Sequence, residues 1–417
     1  MKELLKTIAI ILLSAGMAFL VWQTWAYEPA LREALPGGRA PGDSPAPESA
    51  APYAEWTVAV QPALLAQWRD GGRAGAFWDS AAIEQAMPLL SRALGEALGS
   101  AGAHERSDTA SWAAAMTGES VYLQYTDTVP LQALGAWNSH GFPLDTRAWR
   151  LALCVEDRTL RLFYENERGQ VFTCATAARG ELPELALETP FRLASERPGL
   201  PADPEPLLLL PDIAPDSPGI SAAWRTDMLE AAEPLLRALG IDPEMPYPLE
   251  EPDGSVTFVD YRRYCTVSPD GLIYYNNPEP DGHVPVPDPA MLGGVEAAFA
   301  LCKAAGDALG DAAWELRGVT QNGDSLELRY GVHIGGCPVL GTDSAVAFFT
   351  VKEGRVAEAS LYIREYRRDA AAGALLPLRQ ALAAVSPEED GFALQLAYLD
   401  DGAARLSPQW ILRGGAS

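Results

Sequence analysis

The sequence predicts an α+β protein: an N-terminal transmembrane helix, a Pro-rich tether, and a multi-domain body of helix-plus-antiparallel-sheet units. Three observations carry this. An uncharged apolar run covers residues 7–26. Runs of period two, such as Leu326, Leu328, Tyr330 and Val332, alternate with Asn-Gly, Asp-Gly and Glu-Gly turns. Stripes of apolar residues at helical spacing precede these strand runs.

The anchor comes first. Lys2, Glu3 and Lys6 precede TIAIILLSAGMAFLVWQTWA, which ends beside Trp22, Trp25 and Tyr27. About 20 residues at ~1.5 Å each span a hydrocarbon core of about 30 Å. The lysines hold the short leading end in the cytoplasm, and the aromatic trio suits the far headgroup layer. The body is therefore expected outside the plasma membrane, as a single-pass protein. Gly16-Met17-Ala18 resembles a signal-peptide cleavage site, but the apolar run continues through Phe19 to Trp22 without a polar break. Ser14 and Ala18 form a small-xxx-small pair flanking Gly16, the kind of surface on which another membrane helix can approach closely. They are the candidate transmembrane partner contact.

Residues 29–52 include LPGGRAPGDSPAPESAAP, which has too little to bury to offset its own ordering entropy, and read as a tether. The chain is 48% hydrophobic, a composition that folds, and the part beyond the tether is too long for one ordinary core. Three domains are expected, at 53–204, 205–287 and 288–417. The net charge of −25 falls wholly beyond residue 28, since the charges before it cancel. Such a surface repels nucleic acid and anionic lipid.

In chain order, residues 63–68 and 80–98 read as helical, the second with Ile83, Met87, Leu90, Leu94 and Leu98 on one face. A strand at 120–126 leads into a three-stranded meander at 149–177. In that meander Cys154 and Cys174 fall opposite Arg161 on its two flanks, about 9.5 Å apart and beyond the ~7 Å a disulfide spans. Free thiols, and hence a weakly oxidising or anaerobic habitat, are expected. A helix at 222–239 closes at Gly240 before strands SVTFVDY and GLIYYNN. A helix at 289–309, with Cys302 on its apolar stripe, precedes four further strands. A helix at 376–385 leads to FALQLAYLD and ARLSPQWIL. Helix followed by meander occurs twice, which suggests an internal duplication.

No catalytic constellation emerges. His104, His140, His283 and His333 are scattered, without HExxH or CxxC spacing, and no nucleophile elbow, phosphate loop or dinucleotide fingerprint occurs. His333 beside Gly335-Gly336-Cys337 allows a Cys-His dyad, but no third member orients it. The clusters Glu250-Glu251-Asp253 and Glu388-Glu389-Asp390 lack calcium-loop spacing. No cofactor, metal or enzymatic activity is expected.

Several segments together resemble the YycH family of regulatory proteins, and the last third is similar also to YycI and PepSY-like modules. They are the anchor, Glu119-SVYLQYTDTVPLQAL, Asp270-GLIYYNN, LELRYGVHIGGCPV, AVAFFTVKEGRVAEASLYIREY and the closing LAYLDDGAARLSPQWIL. The resemblance implies a non-enzymatic accessory regulator in Gram-positive bacteria. Its partners would be a YycI-type protein and the essential sensor histidine kinase that controls cell-wall homeostasis, the membrane helix contributing to kinase contact. An alternative is a tethered binding or protease-inhibitory module that uses the PepSY-like C-terminal domain. N-terminal sequencing of the mature protein is expected to begin at Met1 or Lys2; a chain beginning near Phe19 would mean that the anchor is cleaved.

Overall fold

The computed structural model describes residues 60–135, 146–196, 205–215, 217–245, 247–278, 284–286, 291–372, 375–385 and 393–413. The anchor, with Ser14, Gly16 and Ala18, lies outside them, as does the tether. Among the described residues no helix is long and apolar enough to cross a membrane. The body is α+β, with mostly antiparallel sheets and few helices.

The first sheet has nine strands. In sequence they are β1 (Leu64–Arg69), β2 (Gly72–Phe77), β3 (His104–Arg106), β4 (Ser120–Pro130), β5 (Arg147–Glu156), β6 (Thr159–Asn166), β7 (Val171–Arg179), β8 (Thr189–Leu193) and β9 (Leu209–Pro211). In space the order is β3-β7-β6-β5-β4-β1-β2-β8-β9. Three helices belong to this region: α1 (Ser80–Gly99), α2 (Thr109–Ala115) and α3 (Leu131–Gly135). Asp79 caps α1 by accepting the Ala82 amide at 3.1 Å, and Ile83, Met87, Leu90, Leu94 and Leu98 form its buried stripe.

Residues 63–68 are a strand and not the expected helix. β1 lies between β2 and β4 and is buried on both faces, so its apolar run carries no periodicity to distinguish the two. The neglected signal was Asp70-Gly71. Both residues have positive φ, 51° and 77°, as a two-residue type I′ hairpin requires.

The meander also departs in register. Cys154 faces Arg161 as expected, but Cys174 faces Leu162, in the register that the β6–β7 hairpin holds from the Glu165–Val171 pair onward. A one-residue slip changes sheet face. Cys154 and Cys174 therefore point to opposite sides, and all five cysteines are free and buried.

Further along come β10 (Pro218–Ala223), α4 (Met228–Ala238), β11 (Leu249–Glu250), β12 (Val256–Asp260), β13 (Arg263–Val267), β14 (Leu272–Asn276) and α5 (Met291–Ala304). The helix expected from residue 222 starts later because Ala222 and Ala223 pair with a later strand. Gly240, at φ 71°, closes α4 as Ile241 N–H donates to the Leu236 carbonyl at 2.8 Å. The remaining elements are β15 (Ala313–Asn322), β16 (Ser325–Ile334), β17 (Cys337–Leu340), β18 (Val346–Lys352), β19 (Arg355–Tyr362), β20 (Glu365–Ala372), α6 (Leu378–Ala384), β21 (Ala393–Leu399), β22 (Arg405–Leu406) and β23 (Pro408–Arg413).

They make an eleven-stranded sheet, β11-β12-β13-β14-β19-β18-β16-β17-β21-β23, with β15 also on β16, and a small sheet β20-β10-β22. Strands from 205–287 and from 288–417 share the large sheet, through the β14–β19 pairing. β16 branches it, pairing with β18 along its first half and β17 along its end. Leu326, Leu328, Tyr330 and Val332 are all buried, and Tyr330 Oη donates to the Val295 carbonyl of α5 at 2.9 Å. α5 can lie this close because residue 294 is glycine: a Cβ there would sit 2.4 Å from Leu326.

The two large sheets meet directly. Thr126 Oγ1 of β4 donates to Glu315 of β15 at 3.2 Å, Arg329 pairs with Asp127, and Ser80 N–H at the start of α1 donates to the Gly335 carbonyl.

One buried polar cluster ties the small sheet to the large one. Arg364 pairs with Asp400 and donates to the Ala403 carbonyl at 2.7 Å, while its guanidinium lies 4.9 Å from the Trp224 ring. Tyr366 Oη donates to Asp400 at 2.9 Å and accepts the Ala345 amide. Gly402 N–H also reaches the carboxylate, at 3.1 Å. Burial pushes the Asp400 carboxyl above its usual range, against the pull of Gly402, Tyr366 and Arg364. Removing one member leaves an uncompensated buried charge. Asp400→Ala is therefore expected to lose about 3–5 kcal/mol in urea unfolding, and the Arg364→Ala, Asp400→Ala double variant clearly less than the sum of the singles. Additive losses would mean the pair is not coupled.

Candidate functional site

A concave feature surrounds Trp410 on β23. Trp410 and Leu412 alternate along β23 on the side lined also by Ala381, Ala384 and Val385 of the α6 region, and Leu376 precedes the Pro377 cap of α6. Trp410 Nε1 donates to the Leu376 carbonyl at 2.8 Å, and its ring meets Trp78 edge-on at 5.4 Å. Two hollows share Leu376 and Trp410. One, of about 480 Å³, runs toward Ile213 and Pro215; the other, of about 320 Å³, lies along Val385, Leu394 and Leu412. Ile213, Leu376 and Leu412 are 60%, 45% and 41% exposed, so these walls are open. Asp212, Ser217 and Arg379 supply the polar rim of the larger hollow. β23 is an end strand of its sheet. An apolar cleft of this size beside a strand edge suits an extended apolar chain.

The motif residues singled out in the sequence have structural partners. Tyr398 Oη donates to the Pro218 carbonyl at 2.9 Å, and Arg364, Tyr366 and Asp400 form the cluster described above. Ile213 carried no sequence signal, and Leu376 was read only as the start of a helix.

The histidines divide. His140 and His283 lie outside the described residues. His333 is buried in β16 and its Nδ1 accepts the Gly336 amide at 3.1 Å, which fixes the proton on Nε2. Burial and the nearby Glu315 push the Cys337 thiol far up, so it stays protonated. This arrangement does not activate the thiol. A second Cys-His contact was missed from sequence: His104 Nδ1 lies 3.2 Å from Cys174 Sγ and 2.7 Å from Tyr164 Oη, because β3 pairs with β7 across a long connection. Burial raises Cys174 to about 11 and Tyr164 to about 12, so both remain neutral beside the imidazole. Glu250 and Glu251 are exposed, and Asp253 accepts the Ser255 amide at 2.9 Å in a local turn; residues 388–390 are outside the described set. Among the described residues no three His, Cys, Asp or Glu side chains converge to hold a metal.

Fold and cleft together define an α+β body of two large sheets and one small one, with an open apolar cleft. Comparison of the chain with known protein families, with characterised proteins and with solved structures finds no match.

Burial lowers the pKa of His104 and His333 below the ordinary 6.5. Each takes up its proton at lower pH in the fold than in the unfolded chain, so stability is lost as pH falls through about 6.5. The urea midpoint is expected to drop between about pH 7.5 and about pH 5.5, and His333→Asn to shrink that drop. An unchanged drop in the variant would remove His333 as a contributor.

Proposed function

We propose that this chain is a membrane-anchored, non-enzymatic accessory regulator of a sensor histidine kinase, a YycH-type protein whose body lies outside the plasma membrane. The observation that carries the reading is the combination of an anchor-length apolar segment at 7–26 with a body that offers an open apolar cleft at Trp410. The anchor helix would touch the kinase through Ser14, Gly16 and Ala18, and the body would bind a YycI-type partner. The sequence resemblance supports this in a physical way. Arg364, Tyr366, Tyr398, Asp400 and Trp410, all within the resembling motifs, are the residues that hold the last strands together. Residues with such duties are those a family retains.

A second reading, the tethered binding or protease-inhibitory module, is favoured by one feature. β23 ends its sheet beside the cleft, so an extended peptide could add as a strand with its side chains in the two hollows.

One experiment separates the two. Full-length protein in detergent is expected to co-purify with a histidine kinase, and exchanging residues 7–26 for an unrelated membrane helix is expected to change kinase output. Unchanged output after the exchange, together with loss of peptide capture in Leu376→Asp, would favour the second reading.

A further inference from the structure

From β12 through β13, β14 and β19 to β18, one face of the sheet is buried and the other is open. Phe258, Cys265, Tyr275, Ala359 and Phe349 lie in one cross-strand row and are all buried. The adjacent row, on the opposite face, runs Thr257, Thr266, Tyr274, Ser360 and Phe348, and the next runs Val259, Tyr264, Asn276, Glu358 and Thr350. None of these ten is buried, and Phe348 and Val259 are 48% and 44% exposed. At the β11 edge Leu249 extends the first row, with Tyr247 and Tyr261 almost fully exposed beside it. The Tyr264 and Tyr274 rings stand 5.9 Å apart. The face is thus aromatic and open.

It is also negative. Glu358 and Glu327 stand on it, and Glu250 and Glu251 flank its β11 edge. Tyr362, paired with Leu272 and Val346, is raised first by partial burial and then by Asp270 and Asp343. The cations nearby are Arg262 at the hairpin tip, Lys352 at the far end, Arg263 paired with Asp260, and Arg329 paired with Asp127. A second copy of a chain carrying −25 would be repelled, as would nucleic acid or anionic lipid. A neutral apolar chain would leave Glu358 and Glu327 uncompensated. Strand addition at β11 is hindered by Pro248 and Pro252 on either side of its two residues.

We propose that this open face, from Leu249 to Phe348, is a docking surface for a cationic extended segment of a partner protein, one that alternates arginine or lysine with apolar side chains. The tyrosine rings take the cations on their faces, the carboxylates pair with them, and Val259, Leu249 and Phe348 receive the apolar side chains. The surface is distinct from both the anchor and the Trp410 cleft, and its occupancy does not depend on which partner the anchor touches.

The test uses full-length protein in neutral detergent and fluorescent decapeptides of alternating arginine–leucine, glutamate–leucine and serine–leucine, followed by anisotropy. The arginine peptide is expected to bind and to weaken with salt. The Tyr264→Ala, Tyr274→Ala double variant should weaken it about five- to thirtyfold, from two exposed cation–π contacts, and Glu358→Gln should weaken it as well. The corresponding Tyr→Phe double variant, which keeps the rings, should restore binding, and Leu376→Asp in the cleft should leave it unchanged. Equal binding of the glutamate or serine peptide, full affinity in the alanine double variant, or loss only in Leu376→Asp would overturn the proposal. Melting temperatures of the variants, all at solvent-facing positions, are expected to stay near that of the parent, so that a loss of binding reports the surface.

Discussion

The Arg364–Asp400 pair is the constraint on which the C-terminal half depends. Both side chains are fully buried, at 1% and 0% exposure, and each is compensated in several directions. The carboxylate receives Arg364, Tyr366 and Gly402; the guanidinium also reaches the Ala403 carbonyl and the Trp224 ring. These groups come from β20, from the turn after β21 and from the segment after β10, so the pair forms only when three distant stretches meet. Gly341 belongs to the same junction. With φ 133° and an Asp400 oxygen 2.0 Å from where a Cβ would sit, only glycine lets the chain pass.

The junction has a consequence for the surface. By tying β20 and β21 to β10 it aligns β23 at the end of the sheet, and Trp410 on β23 then packs against Trp78 of the first sheet. The cleft is built from three stretches that have nothing in common in sequence: the loop after β9, the residues before α6, and β23. A second buried cluster, Arg150 with Glu165 and Glu205, performs the same service at the start of the second region, where Glu205 returns to the first sheet. In both places an arginine holds carboxylates from separate segments, as suits a planar, always-charged fork with five donors.

Elements with strong local signals were legible. The α1 stripe, the Gly240 stop of α4, and the alternation of β16 all follow from short-range periodicity or from a single conformationally permissive glycine. Elements buried on both faces were not. β1 reads as an apolar run, and only its Asp70-Gly71 turn distinguishes a hairpin from a helix. Register was not legible to the residue: the β6–β7 hairpin pairs Cys174 with Leu162, one position from Arg161, which sends it to the face opposite Cys154 and toward His104, a partner 70 residues away. The cleft was barely legible, since Trp410 belongs to a recognisable ending whereas Ile213 and Leu376 do not.

By itself the sequence determined the α+β class, the anchor-length apolar segment, the acidity of everything beyond it and the strands with one buried face, because each depends on composition or on neighbours within a few residues. Tertiary structure alone decided the rest: the joining of strands on both sides of residue 287 into one sheet, the branch at β16, the side to which each thiol points, and the open aromatic face and Trp410 cleft. Most of those features arise where segments far apart in sequence come together, as His104 meets Cys174 and Thr126 meets Glu315, and no local pattern encodes which distant segment a buried charge or an unpaired strand will find.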